Sequence, residues 1–241
     1  MRKQLTAGLV ASLFTFSAVA DEGVERVQKA LKEKMPQVKV TSVKETPVDG
    51  LYEVVAGTEV VYLTEDGRYL LQGNLMDLEK QVNMTEQRRA SLRLDLLDEV
   101  EEGQMVVYEP KGEVRHTVTV FTDTSCPYCR KLHKEVPELV ENGVEVRYIL
   151  YPRSRQGSPA YKTAVGAWCA EDTKAAVEQA MGGQSIDVEA CNQNPISQNQ
   201  MLAGKMGLRG TPFIVTDTGM AIPGYRPAGE LIKALEASKA N

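Results

Sequence analysis

TSCPYCRKLH occupies residues 124–133. It holds two cysteines, Cys126 and Cys129, with Pro127 and Tyr128 between them. Such a pair can be half of a zinc site, an inert bridge or a reactive dithiol, and each use needs different surroundings. Here a β-branched run at 117–122 precedes the pair and a helical pattern follows it. Cys126 is therefore expected at a helix N-terminus, where free N–H groups and the macrodipole favour an anion. A free thiol titrates near pH ~8.5, and helix N-termini in Cys-x-x-Cys settings lower that to about 3.5–7.5. The thiolate is the attacking species, so this placement has a chemical use. Cys129, one turn later on the same face, can close a disulfide with Cys126 or resolve a mixed disulfide formed there. Pro127 suits a first helical turn, because its missing N–H is not needed there. Pro127 and Tyr128 also stand where they tune the redox potential.

The other two uses have weaker support. Zinc needs about four ligands. Cys126, Cys129 and His133 share a helical face, and Cys169 or Cys191 could complete a set. Zinc pairs of this spacing, however, usually sit on a knuckle turn rather than at the start of a regular helix. His133 itself reads as a helix-surface residue, and His116 as the start of a strand. Cys169 and Cys191 lie in a helix-rich stretch with no zinc spacing. A structural disulfide is the economical reading, and closing that loop stabilises a fold by about 3.4 kcal/mol in the chain-entropy model. Trp168 beside it reads as core. In the segment Gly210-Thr211-Pro212, the low base rate of cis X–Pro bonds predicts a trans peptide.

The chain start supplies the compartment. Arg2 and Lys3 precede an apolar run at 5–16, and Ala18-Val19-Ala20 is a small-x-small cleavage site. Residues 1–20 thus read as an export signal, too short to span a bilayer. Removing 20 of the 241 residues leaves 221, and losing Arg2 and Lys3 moves the formal net charge from −5 to −7. With no basic block, nucleic acid is not an expected partner. Export permits disulfides, and the four cysteines are an even count.

The rest divides into three stretches. Residues 21–36 begin with an amphipathic helix carrying Val24, Val27 and Leu31. Short β-prone runs follow at 38–43, 51–56, 59–64 and 69–72, with a hairpin signal at Asp66-Gly67. Residues 83–104 form a helical pattern with Thr85 as the expected N-cap, read either as a domain-packing helix or as a linker between modules. The acceptor tripeptide Asn83-Met84-Thr85 is too common by chance to carry weight. From 112 onward strands and helices alternate, which predicts a small mixed sheet with helices on its faces and an α+β fold overall.

VFTDTSCPYCRKLH, GTPFIV and PGYRP together resemble the periplasmic disulfide isomerases of the DsbC/DsbG family, and EDGRYLLQG with the Cys169/Cys191 offset resembles the DsbC branch. The resemblance covers essentially the whole mature chain. It implies a cystatin-like dimerisation domain at 21–82, a linker helix at 83–104 and a thioredoxin-like catalytic domain with a helical insertion at 105–241. It implies a homodimer with an apolar cleft, Cys126 and Cys129 as the catalytic pair, and Pro127, Tyr128, Thr211 and Pro212 as their support. Thr211–Pro212 would then be cis and face the cysteines, against the base rate. The implied partners are misoxidised exported proteins and a DsbD-like membrane reductant, with no cofactor and no metal. Pro-Tyr between the cysteines departs from the usual Gly-Tyr of DsbC-type isomerases and matches DsbG. A DsbA-like dithiol oxidase, and a DsbG-like reductase or holdase chaperone, are therefore carried as alternatives.

Overall fold

The computed structural model describes residues 19–239. The export signal read at 1–20 lies, but for its last two residues, outside the described residues. The chain divides into two compact units, one of Met1–Ala56 with Val61–Gln72 and the other of Gly57–Val60 with Gly73–Asn241.

In the first unit, α1 (Val19–Lys34) is followed by β1 (Ser42–Glu45), β2 (Leu51–Ala56), β3 (Glu59–Thr64) and β4 (Leu70–Leu71). They form one sheet in the order β1-β2-β3-β4. The helical repeat of α1 puts Val27 and Leu31 against Val43, Tyr52, Val54 and Leu63, which alternate on the inner sheet face. The first strand starts later than its apolar run predicts, because Val38 and Val40 are taken up in a turn after Pro36. β4 is an edge strand, and Tyr69, Leu70 and Leu71 are 55%, 45% and 49% exposed there.

The second unit opens with a ribbon of β5 (Met76–Asp77) and β6 (Val82–Asn83), then α2 (Met84–Asp98). The N-cap is Asn83, whose side chain accepts from Glu86 N–H, and not Thr85. Thr85 is instead buried, its hydroxyl accepting from Leu75 N–H at 2.7 Å. A strand thus runs directly into the helix, and the earlier polar side chain reaches the free N–H groups first. A 3-10 turn at Glu102–Gln104 leads to β7 (Val106–Tyr108).

The main sheet adds β8 (His116–Thr122), β9 (Val144–Leu150), β10 (Phe213–Thr216) and β11 (Ala221–Pro223), in the order β11-β10-β8-β9-β7. β8 and β9 are parallel, while β10 runs antiparallel to β8 and β7 antiparallel to β9. This is the mixed sheet and the α+β fold that the sequence predicts. Its central strands are buried on both faces. Val118, Val120, Val146, Tyr148 and Ile214 point to one core, and Phe121, Ile149 and Val215 to another. Around it lie α3 (Pro127–His133), α4 (Val136–Glu141), α5 (Pro159–Cys169), α6 (Thr173–Met181), α7 (Ile196–Lys205) and α8 (Ala228–Lys239). The helix expected to run on from the cysteines breaks after His133. Pro137 has no N–H for the His133 carbonyl and its ring crowds that oxygen.

The C-terminal half of α2 packs on this unit through Leu96 and Leu97. Buried Arg93 donates to the Gly219 carbonyl at 2.9 Å. Gly219 has φ +78°, and a Cβ there would lie 2.3 Å from the Ala90 carbonyl oxygen, so the turn can approach α2 only as glycine.

Cys169, at the end of α5, is disulfide-bonded to Cys191, with Cα atoms 5.5 Å apart. The bridge ties down the irregular segment between α6 and α7. Replacing both cysteines with alanine should lower unfolding free energy by about 3 kcal/mol, since it frees a 22-residue loop. Urea unfolding followed by the single tryptophan, Trp168, which packs on this core, measures it. An unchanged midpoint would contradict a stabilising role.

Candidate active site

β8 ends at Thr122 and delivers the chain into the turn Asp123-Thr124-Ser125. Cys126 is the N-cap of α3, with extended backbone (φ −82°, ψ 123°), and Pro127 takes the first helical position. Ser125, Pro127 and Tyr128 are exposed, Tyr128 at 62%, while Cys126 and Cys129 are 2% and 0% exposed. Both cysteines are free thiols.

The segment before β10 comes in from the far side. The Thr211–Pro212 peptide is cis, as the family resemblance implies and against the trans expectation drawn from base rates alone. The Cys126 thiol donates to the Thr211 carbonyl at 3.3 Å, across 85 residues of sequence. The Thr211 hydroxyl is buried and, in the dithiol state, has no hydrogen-bond partner among the described residues. Of the residues singled out in the sequence, the fold thus brings Cys126, Cys129, Thr211 and Pro212 together. Tyr128 stands in solvent beside them, and Cys169–Cys191 is separate.

The two sulfurs are electrostatically unlike. Burial pushes the Cys126 thiol up, but donors aimed at its sulfur outweigh that: the Thr211 side chain first, then Cys129 and the Tyr128 backbone N–H. The net shift is downward. No donor makes a capping bond of ordinary length to the neutral thiol. They favour the anion, which attracts N–H and O–H groups more strongly. Cys129 is pushed up to about 11, by burial first, although Asp123 N–H donates to its sulfur at 3.4 Å. At neutral pH Cys126 ionises more readily and Cys129 holds its proton.

Sequence reasoning missed the carboxylate under this turn. Asp123 is 3% exposed. One oxygen accepts from Ser125 N–H and the Ser125 hydroxyl at 2.8 and 2.6 Å, and the other from Arg153 N–H and Nε at 3.1 and 3.3 Å. Four donors, one of them a guanidinium N–H, satisfy a buried charge and fix the loop that carries Cys126. The available signal was a lone carboxylate closing an apolar strand three residues before a cysteine. His133 also differs from its surface reading. It is half-buried, its Nδ1 lies 3.2 Å from the Tyr148 hydroxyl, and burial lowers its pKa. Cys169 and Cys191 are bonded to each other, which removes both from any zinc set with Cys126 and Cys129.

Residues 17–86 match the disulfide bond isomerase protein N-terminal domain, and residues 102–239 match the thioredoxin-like domain. The thiol:disulfide interchange protein DsbC of Dickeya dadantii is 37% identical over 95% of this chain and 95% of its own length. That of Escherichia coli K12 is 33% identical over 95% of this chain and 94% of its own length. Among solved structures, a disulfide interchange protein from Neisseria gonorrhoeae superposes with a TM-score of 0.51 at 25% identity, covering 57% of this chain and 97% of that one. The chain belongs to the DsbC family of thiol:disulfide interchange proteins.

Proposed function

We propose that this protein rearranges or reduces non-native disulfides in exported proteins of the periplasm. Cys126 is the attacking thiolate and Cys129 the resolving thiol. The observation that carries this reading is the contact of the Cys126 sulfur with Thr211, together with the opposite shifts of the two thiols. The Cys126 thiolate attacks one sulfur of a substrate disulfide. A Cys126–substrate bond forms, the substrate bond breaks, and the second substrate sulfur leaves as thiolate. A further substrate thiolate then displaces Cys126 and leaves a rearranged substrate, with no net oxidation. If rearrangement stalls, Cys129 displaces the substrate as a reduced dithiol, and Cys126–Cys129 becomes the disulfide. A DsbD-like membrane reductant then returns that pair to the dithiol.

Pro127, Tyr128, Thr211 and Pro212 support the pair: Thr211 by setting its carbonyl against the Cys126 sulfur, Tyr128 as an exposed aromatic contact for substrate. We assign dimerisation to residues 21–82, a linker helix to 83–104 and catalysis to 105–241. The homodimer reading draws on β4, an exposed edge strand carrying apolar side chains, which offers unpaired backbone groups to a second copy. Substrate binding of a chaperone kind would accompany exchange. Pro127-Tyr128 favours, as a second reading, a DsbG-like reductase or holdase.

Refolding of a scrambled multi-disulfide protein tests the reaction. Cys126→Ser should fall to the uncatalysed rate, and normal isomerisation by that variant would refute the nucleophile. The pH dependence has a definite sign. Cys126 ionises below the ordinary thiol range, so its alkylation rate should rise with pH and level off before that of a free cysteine does. Thr211→Val removes a donor to the anion and should move the midpoint upward, measured by titrating the ultraviolet absorbance of the thiolate. For the edge strand, Leu70→Glu with Leu71→Glu should shift native mass from dimer to monomer, because like charges meet across the paired edge. An unchanged mass would exclude β4 from the contact.

A further inference from the structure

An open cavity of ≈ 500 Å³ lies against the turn that carries Cys126, lined among others by Thr124, Ser125, Arg130, Ser154, Ser158 and Gln184. Its lining holds one cation and no carboxylate. Arg130 is half-buried on α3, and its Nε donates to the Thr124 carbonyl at 2.7 Å, which fixes the guanidinium plane. No carboxylate among the described residues pairs with it, although the chain carries more acidic than basic side chains. Gly183 leaves room at Nη1, which a Cβ there would approach to 3.3 Å. The Ser154 and Ser158 hydroxyls lie 2.7 Å apart, so one donates to the other and one O–H of the pair remains for an anion, while the Ser125 hydroxyl is taken by Asp123. Ser125 is the residue before Cys126, so the cavity begins one Cα step, about 3.8 Å, from the reacting residue.

We propose that this cavity receives the carboxylate of an acidic residue flanking the reactive cysteine of the substrate, with Arg130 as the specificity-determining residue. This rests on Cys126 being the attacking thiolate. A guanidinium fixed through Nε still presents its η nitrogens to a planar carboxylate, the geometry in which arginine binds most selectively. A substrate cysteine bonded to Cys126 places its neighbouring side chain within reach of that fork. The established exchange chemistry is unchanged, and the cavity alters which disulfides engage fastest.

The test uses Cys129→Ser, which traps the Cys126 mixed disulfide, and three peptide disulfides differing only in the residue after cysteine: Glu, Gln or Lys. Each rate is divided by that of the same peptide with dithiothreitol, which removes differences in intrinsic reactivity. Glu should exceed Gln by about 5-fold, the size of a half-exposed charge pair with a hydrogen bond, and Lys should be slowest. About 0.5 M salt should shrink the ordering. Arg130→Gln should abolish it and Arg130→Lys should keep part of it. Equal normalised rates for Glu and Gln, or an ordering unchanged in Arg130→Gln, would overturn the proposal. A preference for glutathione disulfide over cystamine without a Glu preference would assign the cavity to a small anionic disulfide, and would overturn it too. The peptide series and its salt dependence decide without the arginine variants if those do not fold. Reaction with none of the peptides would remove the nucleophile reading and this inference with it, an outcome distinct from equal rates.

Discussion

The contact between the Cys126 sulfur and the Thr211 carbonyl, 3.3 Å across a separation of 85 residues, is what the proposed chemistry depends on. Neither residue can be where it is without β8 and β10 lying side by side. Phe121 pairs with Phe213 in the antiparallel ladder, which sets the end of β8 beside the start of β10. The turn after Thr122 and the segment before Phe213 then leave the sheet at the same edge and meet. The sheet is held by apolar packing on both faces, so the two segments are fixed before any chemistry occurs.

Around that contact the charges are arranged in opposite senses. Cys126 sits where N–H and O–H donors favour its anion, and Cys129, one helical turn on, is buried among Leu132, Val120 and Tyr148 in the apolar core. The same short helix thus carries one thiol that ionises readily and one that resists. Asp123 and Arg153 lie beneath as a neutralised pair, holding the loop by four hydrogen bonds. A buried carboxylate without that guanidinium would oppose a nearby thiolate by like-charge repulsion. The pair supplies rigidity with little net negative charge.

Much of this was legible in the chain. β-prone runs bounded by turn residues marked 51–56 and 59–64, and a β-branched run marked 117–122, because composition and turn residues are local signals. The dithiol was legible through its neighbours: a strand before, a helix after, and Pro127 where a helix begins. The edge strand β7 and the ribbon of β5 and β6 were not, since strands of two or three residues have no period to read. His133 was misread because helical spacing tells which residues share a face, but not that Tyr148 and Tyr108 close over that face.

The sequence by itself determined the cysteine spacing, the strand-helix context that makes Cys126 an N-cap, and an α+β order of elements, all set by residues within a few positions of one another. The tertiary structure alone decided that the Thr211 carbonyl meets the Cys126 sulfur and that Asp123 finds Arg153. It also placed Arg130 in the lining of a cavity, with no carboxylate partner among the described residues. Those outcomes depend on which distant segments the sheet brings together. Coulomb and hydrogen-bond energies fall off with distance in space, whatever the separation along the chain.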